Sequence, residues 1–303
     1  MSLFQRVRRL LPITKPRAPP SKPVKVVTDS TADLPPELAH EMGITVVPLR
    51  VIFGEQAYRD GIDLRSEEFF HKLASSKELP TTSQPSTGEF LQVYEHLAAE
   101  TDRILSIHLS SGFSGTVDTA RRAAQQLIGR CTIEVIDSAT ISMAMGFAVI
   151  AAAKAARDGA DLETCAATAR SVLRRQRLAV TVDTLEYLRR GGRIGRAQAF
   201  IGGLLHIKPI LTIRKGETHP LARVRTRRKA LEEMLRICLE DGHVIEAVVM
   251  DSTTPEDARF LEGELARRCP GVPVHTGAIG PVIGVHGGPG LIGLAVVLAE
   301  EPP

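Results

Sequence analysis

The sequence has 303 residues, of which 43% are hydrophobic and 24% charged, so it is long enough for two domains and has the composition of a globular rather than a disordered protein. The formal net charge is only +3, and the basic excess lies in residues 1–23, which hold six lysines and arginines and no acid. The rest of the chain is therefore slightly acidic, which argues against a nucleic-acid-binding surface.

Residues 1–23 are predicted to be a basic, proline-rich flexible extension. The prolines between residues 12 and 23 can continue neither a helix nor a central strand. Residues 1–11 place apolar side chains on one helical face and arginines largely on the other, a pattern that fits transient contact with an anionic membrane. A disordered basic tail is the alternative, and it is favoured because so short a helix is marginal alone.

From residue 24 onward, short runs rich in valine, isoleucine and leucine alternate with helical patterns, which predicts a parallel α/β sheet. One helix opens with Ser86 and Glu89 in a capping-box arrangement, and a longer one begins after Asp161. We place the domain boundary at the end of that longer helix, so the first domain covers residues 24–177. The predicted strands are residues 24–27, 44–53, 103–109 and 132–136.

Residues 178–303 predict a second α/β domain with a mixed sheet. The turn Lys215-Gly216-Glu217 joins two strand patterns, which requires an antiparallel pair. Helices and strands then alternate toward the end of the chain. The predicted strands are residues 208–214, 218–226, 244–250, 272–276 and 291–298, and the predicted helices are residues 227–240 and 255–268.

Two loops rich in hydroxyl side chains, residues 81–86 and 110–116, each precede a helical segment. Hydroxyls and free backbone N–H groups at a helix start bind anions. The second loop, Asp29-Ser30-Thr31 and Asp137-Ser138 all follow predicted strands, and the carboxyl ends of parallel strands meet at one edge of a sheet. We therefore expect one crevice with a site for a small anion. Caps and turns are the alternative, because serine and threonine are favoured at both.

Four arginines lie at a predicted strand end and helix start. A solvated basic surface is the simpler interpretation of this cluster. Positive charge at a helix N-terminus opposes the helix dipole, however, and this suggests an anionic partner. The four are Arg223, Arg225, Arg227 and Arg228.

Several classes of site are unsupported by the sequence. The four cysteines stand far apart with no C-x-x-C pair, which fits a reducing cytosol and neither a zinc knuckle nor a disulfide framework. No Walker A motif, dinucleotide fingerprint or H-x-x-x-H pair occurs. Residues 112–116 depart from the G-x-S-x-G nucleophile elbow because Thr116 replaces its second glycine. We predict a cytoplasmic protein without catalytic residues, metal or cofactor.

A series of short motifs occurs in a fixed order along residues 24–298. The longest are SIHLSSGFSGT from Ser106 and LRRGGRIG from Leu188. Together they resemble the DegV family, the fatty-acid-binding group that includes FakB, the carrier subunit of bacterial fatty acid kinase. The other motifs are VTDST from Val27, VPL from Val47, YRDG from Tyr58, TSQPS from Thr82, IDS from Ile136, IKPI from Ile207, VRT from Val224 and HGGPG from His286.

The resemblance implies a long-chain fatty acid bound in an apolar tunnel between the two domains of a DegV-like fold. It implies that Thr82 and Ser114 hydrogen-bond the carboxylate, which is where the residues themselves predict an anion site. It also implies that Arg225 and His286 lie near the tunnel mouth, where the family engages an ATP-dependent kinase partner and the phosphoryl group. The predicted ligand-binding residues are Thr82, Ser83, Ser111, Ser114 and Gly115.

Other residues leave alternatives open. Met143, Met145 and Phe147 suit a tunnel wall because methionine adapts to a flexible chain, but ordinary helix core explains them equally well. Family members often carry a hydroxyl residue where this chain has Gly287. The resemblance thus implies a bacterial lipid-binding carrier of fatty acid metabolism. The alternative is an enzyme subunit similar to that of dihydroxyacetone kinase, which would hold a small hydroxylated or carbonyl substrate through a histidine such as His286.

Overall fold

The computed structural model describes residues 22–201 and 207–300. The membrane contact predicted for residues 1–11, and nearly all of the extension, lie outside the described residues. The chain divides into two compact units. Unit 1 takes its described residues from 22–49 and 83–174, and unit 2 from 50–82, 175–201 and 207–300.

Strands and helices account for most of the described residues. The strands are β1 Lys25–Asp29, β2 Ile44–Val47, β3 Arg50–Phe53, β4 Gln56–Arg59, β5 Thr81–Ser83, β6 Arg103–His108, β7 Thr132–Asp137, β8 Gln176–Thr181, β9 Lys208–Arg214, β10 Glu217–Val224, β11 Val244–Asp251, β12 Val274–Ala278 and β13 Ile292–Leu298. The α-helices are α1 Pro36–Glu41, α2 Ser66–Ser75, α3 Thr87–Ala98, α4 Thr116–Gln125, α5 Ser142–Arg157, α6 Leu162–Arg175, α7 Glu186–Arg190, α8 Arg227–Leu239, α9 Pro255–Arg268 and α10 Pro281–Gly287. Short 3-10 helices span Ser30–Ala32 and Gly195–Phe200.

Unit 1 contains a four-stranded parallel sheet in the order β2-β1-β6-β7, which confirms the predicted parallel α/β architecture. Phe90 and Tyr94 of α3 are fully buried in one hydrophobic core with Val27 of β1. The predicted capping box is present, because the Ser86 side chain accepts from the Glu89 N–H and the Glu89 carboxylate accepts from the Ser86 N–H.

Unit 2 contains a six-stranded mixed sheet in the order β10-β9-β8-β13-β11-β12, which confirms the mixed sheet predicted for the second half. Strands β9 and β10 form the expected antiparallel hairpin. Lys215 and Gly216 in its turn both have positive φ, the conformation that matches a tight hairpin to the strand twist. Helices α8 and α9 supply Leu231 and Leu261 to a core on one face of this sheet.

Residues 44–53, predicted as one strand, form two strands in different sheets. Strand β2 belongs to the parallel sheet, whereas β3 lies in a three-stranded sheet of order β4-β3-β5. Pro48 between them lacks an N–H group and cannot continue a ladder, and the Leu49 N–H is bound by the Ser30 hydroxyl at 3.0 Å.

The units also differ from the predicted division at residue 177. Residues 50–82 group with unit 2, although the sequence assigned them to the first domain. Helix α2 explains this grouping, because the Ser66 hydroxyl donates to the Ile279 carbonyl at 2.7 Å. Phe69 and Phe70 of the same helix also pack beside Gly284 of α10. These contacts join segments about 210 residues apart, which local patterns cannot reveal.

Candidate functional site

Thr82 lies on β5 in unit 2, and its hydroxyl pairs with His286 of α10. The Thr82 Oγ1 and His286 Nε2 atoms are 2.9 Å apart, and the pair is partly buried. The hydroxyl-rich pattern of residues 81–86 predicts Thr82 in a loop directly before a helix. That helix start is already satisfied by the Ser86 capping box, so in the structure Thr82 acts from a strand and not from a helix N-terminus.

His286 is held in an environment that favours its uncharged form. Burial lowers the pKa of His286 to about 4, and the positive charge of Arg193 contributes in the same direction. Gly191 packs against the Nδ1 side of the ring so closely that it leaves no room for a Cβ atom. Among the described residues, His286 Nδ1 is buried and has no hydrogen-bond partner. At neutral pH the imidazole is therefore uncharged, with Thr82 as its hydrogen-bond partner.

This depressed pKa predicts that the protein loses stability as the pH falls from about 6.5 to about 4. In that window an unfolded His286 binds a proton and the folded one does not, so protonation favours the unfolded chain. The expected loss is up to about 3 kcal/mol. Denaturant unfolding at pH 7 and pH 4.5 measures it, and His286→Gln should show a correspondingly smaller difference. An equal pH dependence in both proteins would contradict the assignment.

Helix α10 approaches its neighbours most closely at Gly284. A Cβ atom there would lie 2.6 Å from Phe69 Cε1 and 2.9 Å from Phe70 Cζ. We predict that Gly284→Ala destabilises the protein by about 1–3 kcal/mol, because overpacking forces buried rings or the helix to move. Gly263→Ala in α9 is the matched control, since a Cβ there meets nothing within 4 Å, and a neutral or stabilising effect is expected. Equal changes in the free energy of unfolding for Gly284→Ala and Gly263→Ala, measured by denaturant unfolding, would contradict this steric explanation.

Gly287 also has a packing explanation. A Cβ atom at this position would overlap the side chain of Leu291. A hydroxyl side chain at this position would therefore require Leu291 to move.

In unit 1, Ser114 directly precedes the start of α4, as the sequence predicts for the second loop. Its hydroxyl lies 2.8 Å from Thr116 Oγ1, and Gly115 occupies the N-cap position without a side-chain cap. The Gln84 amide donates to Thr119 Oγ1 at 2.7 Å and its side chain lies over Gly115. Helix α4 thus begins with partly buried hydroxyls and no capping side chain, which is the local arrangement expected of an anion site.

The other two predicted ligand residues have different surroundings. Ser111 is exposed, and its hydroxyl donates to Asp137 Oδ2 at 2.5 Å. Ser83 is half-buried at the end of β5. Ser111 therefore ties the second loop to the end of β7, and its role as a direct ligand stays a prediction.

A buried polar chain missed by the sequence analysis holds the start of the second loop. Asp29 at the end of β1 accepts from the Leu109 N–H at 3.0 Å and lies 2.9 Å from His108 Nδ1. His108 Nε2 is 2.7 Å from the Ser106 hydroxyl, which also receives the Tyr94 O–H at 2.8 Å. All these side chains are fully buried. The VTDST and SIHLSSGFSGT motifs therefore meet, and Asp29 fixes where the hydroxyl loop begins.

The four predicted arginines have unequal surroundings. Arg223 lies over the Phe200 ring at 4.8 Å, and Arg228 lies over the Phe260 ring at 3.6 Å. Arg227 Nε donates to Asp257 Oδ2 at 2.7 Å. Arg225 is exposed, and its side chain has no partner within residues 22–201 and 207–300. Of the four, Arg225 is thus an exposed arginine whose whole guanidinium is unengaged within the described residues.

The described ranges contain neither a metal-binding cluster nor a membrane-spanning helix. No group of three or more histidine, cysteine, aspartate or glutamate side chains is arranged there to hold a metal ion. Every helix in those ranges is too short or too polar to serve as a membrane span.

Comparison with known proteins identifies one family. The DegV model, described as "Uncharacterised protein, DegV family", matches residues 23–299. A DegV domain-containing protein of Deinococcus radiodurans is 39% identical over 278 residues, which cover 90% of this chain and 98% of that protein.

Solved structures agree with this match. One is described as fatty acid binding of a DegV family protein from Thermus thermophilus; it has a TM-score of 0.86 and 37% identity, and covers 91% of this chain and 100% of its own. Another, described as DegV, a fatty acid binding protein from Bacillus subtilis, has a TM-score of 0.83 and 36% identity, with coverages of 92% and 100%. The similarity to each of these structures covers more than nine-tenths of this chain.

Proposed function

The chain belongs to the DegV family, and on that premise we propose that it is a carrier that binds a long-chain fatty acid, with Thr82 and Ser114 donating to the carboxylate. The similar proteins of Thermus thermophilus and Bacillus subtilis are both described as binding fatty acids. In this proposal the protein is not itself an enzyme. Four free cysteines support a reducing cytoplasm as its place of action.

The observation that carries the proposal is the pair formed by Thr82 and a neutral His286. His286 Nδ1 lacks a partner among the described residues, so a proton there would be a buried N–H without an acceptor, which is rare in proteins. The tautomer with the proton on Nε2 avoids this cost, and Nε2 then donates to Thr82 Oγ1. The Thr82 hydroxyl proton remains free to bind a carboxylate.

Ser114 supports the same chemistry from unit 1. Its hydroxyl and that of Thr116 can exchange donor and acceptor roles, so one of the two keeps a free proton. The uncapped N–H groups at the start of α4 add further donors. A carboxylate removed from water needs several such partners, and this set of residues can supply them.

Burial energy favours a fatty acid over a smaller anion as the ligand. A chain of about 16 carbons offers on the order of 10 kcal/mol of burial energy, at roughly 0.8 kcal/mol per CH₂ group, before the cost of association. Met143, Met145 and Phe147 of α5 are buried and stay candidates for the tunnel wall. The tunnel between the domains implied by the family resemblance is part of this proposal.

We further propose that the carrier presents its fatty acid to an ATP-dependent kinase subunit that forms the acyl phosphate. The exposed Arg225 without a partner in the described chain supports this step, because a guanidinium binds phosphate with a fork of donors. His286 is the second residue that we assign to the phosphoryl contact. It pairs with Thr82, which in this proposal binds the carboxylate.

We predict that the purified protein carries a long-chain fatty acid, because the hydroxyl donors and the family both call for one. Organic extraction followed by mass spectrometry tests this. Intact mass under denaturing conditions should equal the sequence mass, whereas a substrate held covalently through His286 would add to it. If the extract contains no fatty acid and none can be loaded by incubation, the proposed function fails.

A further inference from the structure

One end of the unit 2 sheet gathers the starts of two helices and the carboxyl ends of two strands. Thr181 at the end of β8 and Asp251 at the end of β11 both lie in register with Ile292 of β13. Ile292 faces the core shared with α8 and α9. Alternation along the strands places Thr181 and Asp251 on that same face, since each is two residues from a member of the core, Ala179 or Val249.

The two helices begin at this end because of their connections. Strand β10 leads into α8 through the N-cap Thr226, and β11 leads directly into α9. Both helices exceed three turns, so their first N–H groups carry the positive end of a macrodipole. In α/β folds, ligands bind outside the carboxyl ends of strands at such helix starts.

Polar atoms without partners concentrate at the same place. Thr181 is fully buried, and within the described chain its hydroxyl makes no hydrogen bond. The same holds for buried hydroxyls just after β11 and for both terminal nitrogens of the arginine that opens α8. The unpartnered atoms are Thr181 Oγ1, Ser252 Oγ, Thr254 Oγ1, Arg227 Nη1 and Arg227 Nη2.

The guanidinium is fixed in place although its ends are unpaired. Arg227 Nε donates to Asp257 Oδ2 in the first turn of α9 at 2.7 Å. Asp183 Oδ1 is 3.7 Å from Nη1, too far for a hydrogen bond, and it accepts from Lys208 Nζ at 2.6 Å instead. Arg227 is thus oriented through Nε, while Nη1 and Nη2 keep donors that need acceptors.

The charges at this end are balanced before any ligand is added. Arg227 and Lys208 offset Asp257 and Asp183. Burial raises the pKa of Asp251, which reduces its tendency to carry negative charge. The unmet requirement is therefore for an acceptor, since guanidinium nitrogens can only donate.

We propose that this end of unit 2 is a binding site for a phosphate group, held by the Arg227 guanidinium, by the hydroxyls of Thr181, Ser252 and Thr254, and by the helix starts. A tetrahedral oxyanion presents several acceptors in different directions, which suits unpartnered donors that two strand ends and one helix start supply at the same end of the sheet. We call this set of four residues the Arg227 site.

The HGGPG loop connects the Arg227 site to His286. The Gly290 N–H donates to Thr253 Oγ1 at 3.0 Å, and the Gly290 α-carbon packs so closely on Asp183 that no Cβ would fit. Gly290 is the fourth residue after His286, so their α-carbons are at most roughly 14 Å apart. If the proposed function holds, on which this link rests, a phosphate bound here would lie near the fatty acid carboxylate that the kinase partner modifies.

Calorimetric titration of the full-length protein with inorganic phosphate tests the site. We expect saturable binding, weakened roughly tenfold by Thr181→Val and by Arg227→Lys, since each removes a donor or the guanidinium fork. Arg228→Lys is the matched control, because Arg228 lies at the same helix start but pairs with Glu232 at 3.0 Å; its affinity should not change. Thr181→Val should also leave the unfolding midpoint in phosphate-free buffer unchanged or raised, because it removes an unpaired buried hydroxyl.

Absence of binding at millimolar phosphate would overturn the proposal. It would indicate that ordered water molecules hydrogen-bond the unpartnered polar atoms of the Arg227 site. Binding that neither Thr181→Val nor Arg227→Lys weakens would also overturn it. Should Arg227→Lys fail to fold, Thr181→Val alone decides, because valine matches threonine in shape. Phosphate binding does not require a fatty acid, so a lipid-free protein with an intact Arg227 site would refute the proposed function and not this inference.

Discussion

A Thr82→Ala, Ser114→Ala double variant is expected to bind fatty acid at least roughly thirtyfold more weakly than the unaltered protein. Each substitution leaves a buried carboxylate short of one donor, at a cost of about 1–3 kcal/mol, and each 1.4 kcal/mol corresponds to a factor of ten in affinity. The single variants should each show part of the loss. Displacement of a fluorescent fatty acid measures all three affinities.

Thr81→Ala is the matched control for this series. Thr81 is exposed and adjoins Thr82 on β5, and neighbouring strand residues point to opposite faces, so its removal should leave the affinity unchanged. Unaltered affinity in the double variant would remove both hydroxyls from the carboxylate site. A loss confined to Thr82→Ala would assign the carboxylate to the Thr82 and His286 pair alone.

An Arg225→Ala variant is expected to lose acyl phosphate formation with a cognate kinase while its fatty acid affinity stays nearly intact. Arg225 is exposed, and its side chain makes no hydrogen bond or ion pair within the described residues, so its removal should not disturb the fold. Arg225→Lys should restore little activity, because an ammonium cannot reproduce the bidentate geometry of a guanidinium. Lipid binding and acyl phosphate should be measured on the same preparation.

Arg228→Ala provides the comparison, since it removes an equal charge three residues away. Arg228 is engaged with Glu232 and Phe260, so phosphorylation should continue in this variant. Equal loss of lipid binding and phosphorylation in Arg225→Ala would place Arg225 in the lipid site. Full acyl phosphate formation in Arg225→Ala would indicate that Arg225 is an ordinary solvent-exposed residue without a role in the transfer.

Local patterns in the sequence were sufficient for most of the fold. The β9–β10 hairpin and the capping box at Ser86 depend on neighbouring residues, and the structure confirms both. Residues 44–53 were predicted as one strand, because valine and isoleucine are favoured in either sheet. The assignment of β3 to a separate sheet depends on its pairing with β4 and with β5, and β5 lies about 30 residues further along the chain.

The candidate site was less predictable, because its decisive contacts join distant segments. Thr82 and His286 are 204 residues apart, and no spacing rule relates them. Asp29 and His108 are 79 residues apart, and each occurs in a motif that the sequence analysis had noted for other reasons. A buried aspartate at the end of a strand was the available signal, but hydroxyl-rich loops close to it offered a simpler explanation for the motif.

The interrupted path of unit 2 along the chain has a consequence for the newly made protein. Phe69 and Phe70 leave the ribosome roughly 200 residues before the glycine that packs against them. At about 5–20 residues per second, this delay lasts roughly 10–40 s. During that time unit 1 can complete its own sheet. The rings of Phe69 and Phe70 stay without their partner helix, because α10 has not yet been translated. Early protection of this segment, by a chaperone or by provisional packing, is therefore a requirement that the topology imposes on biosynthesis.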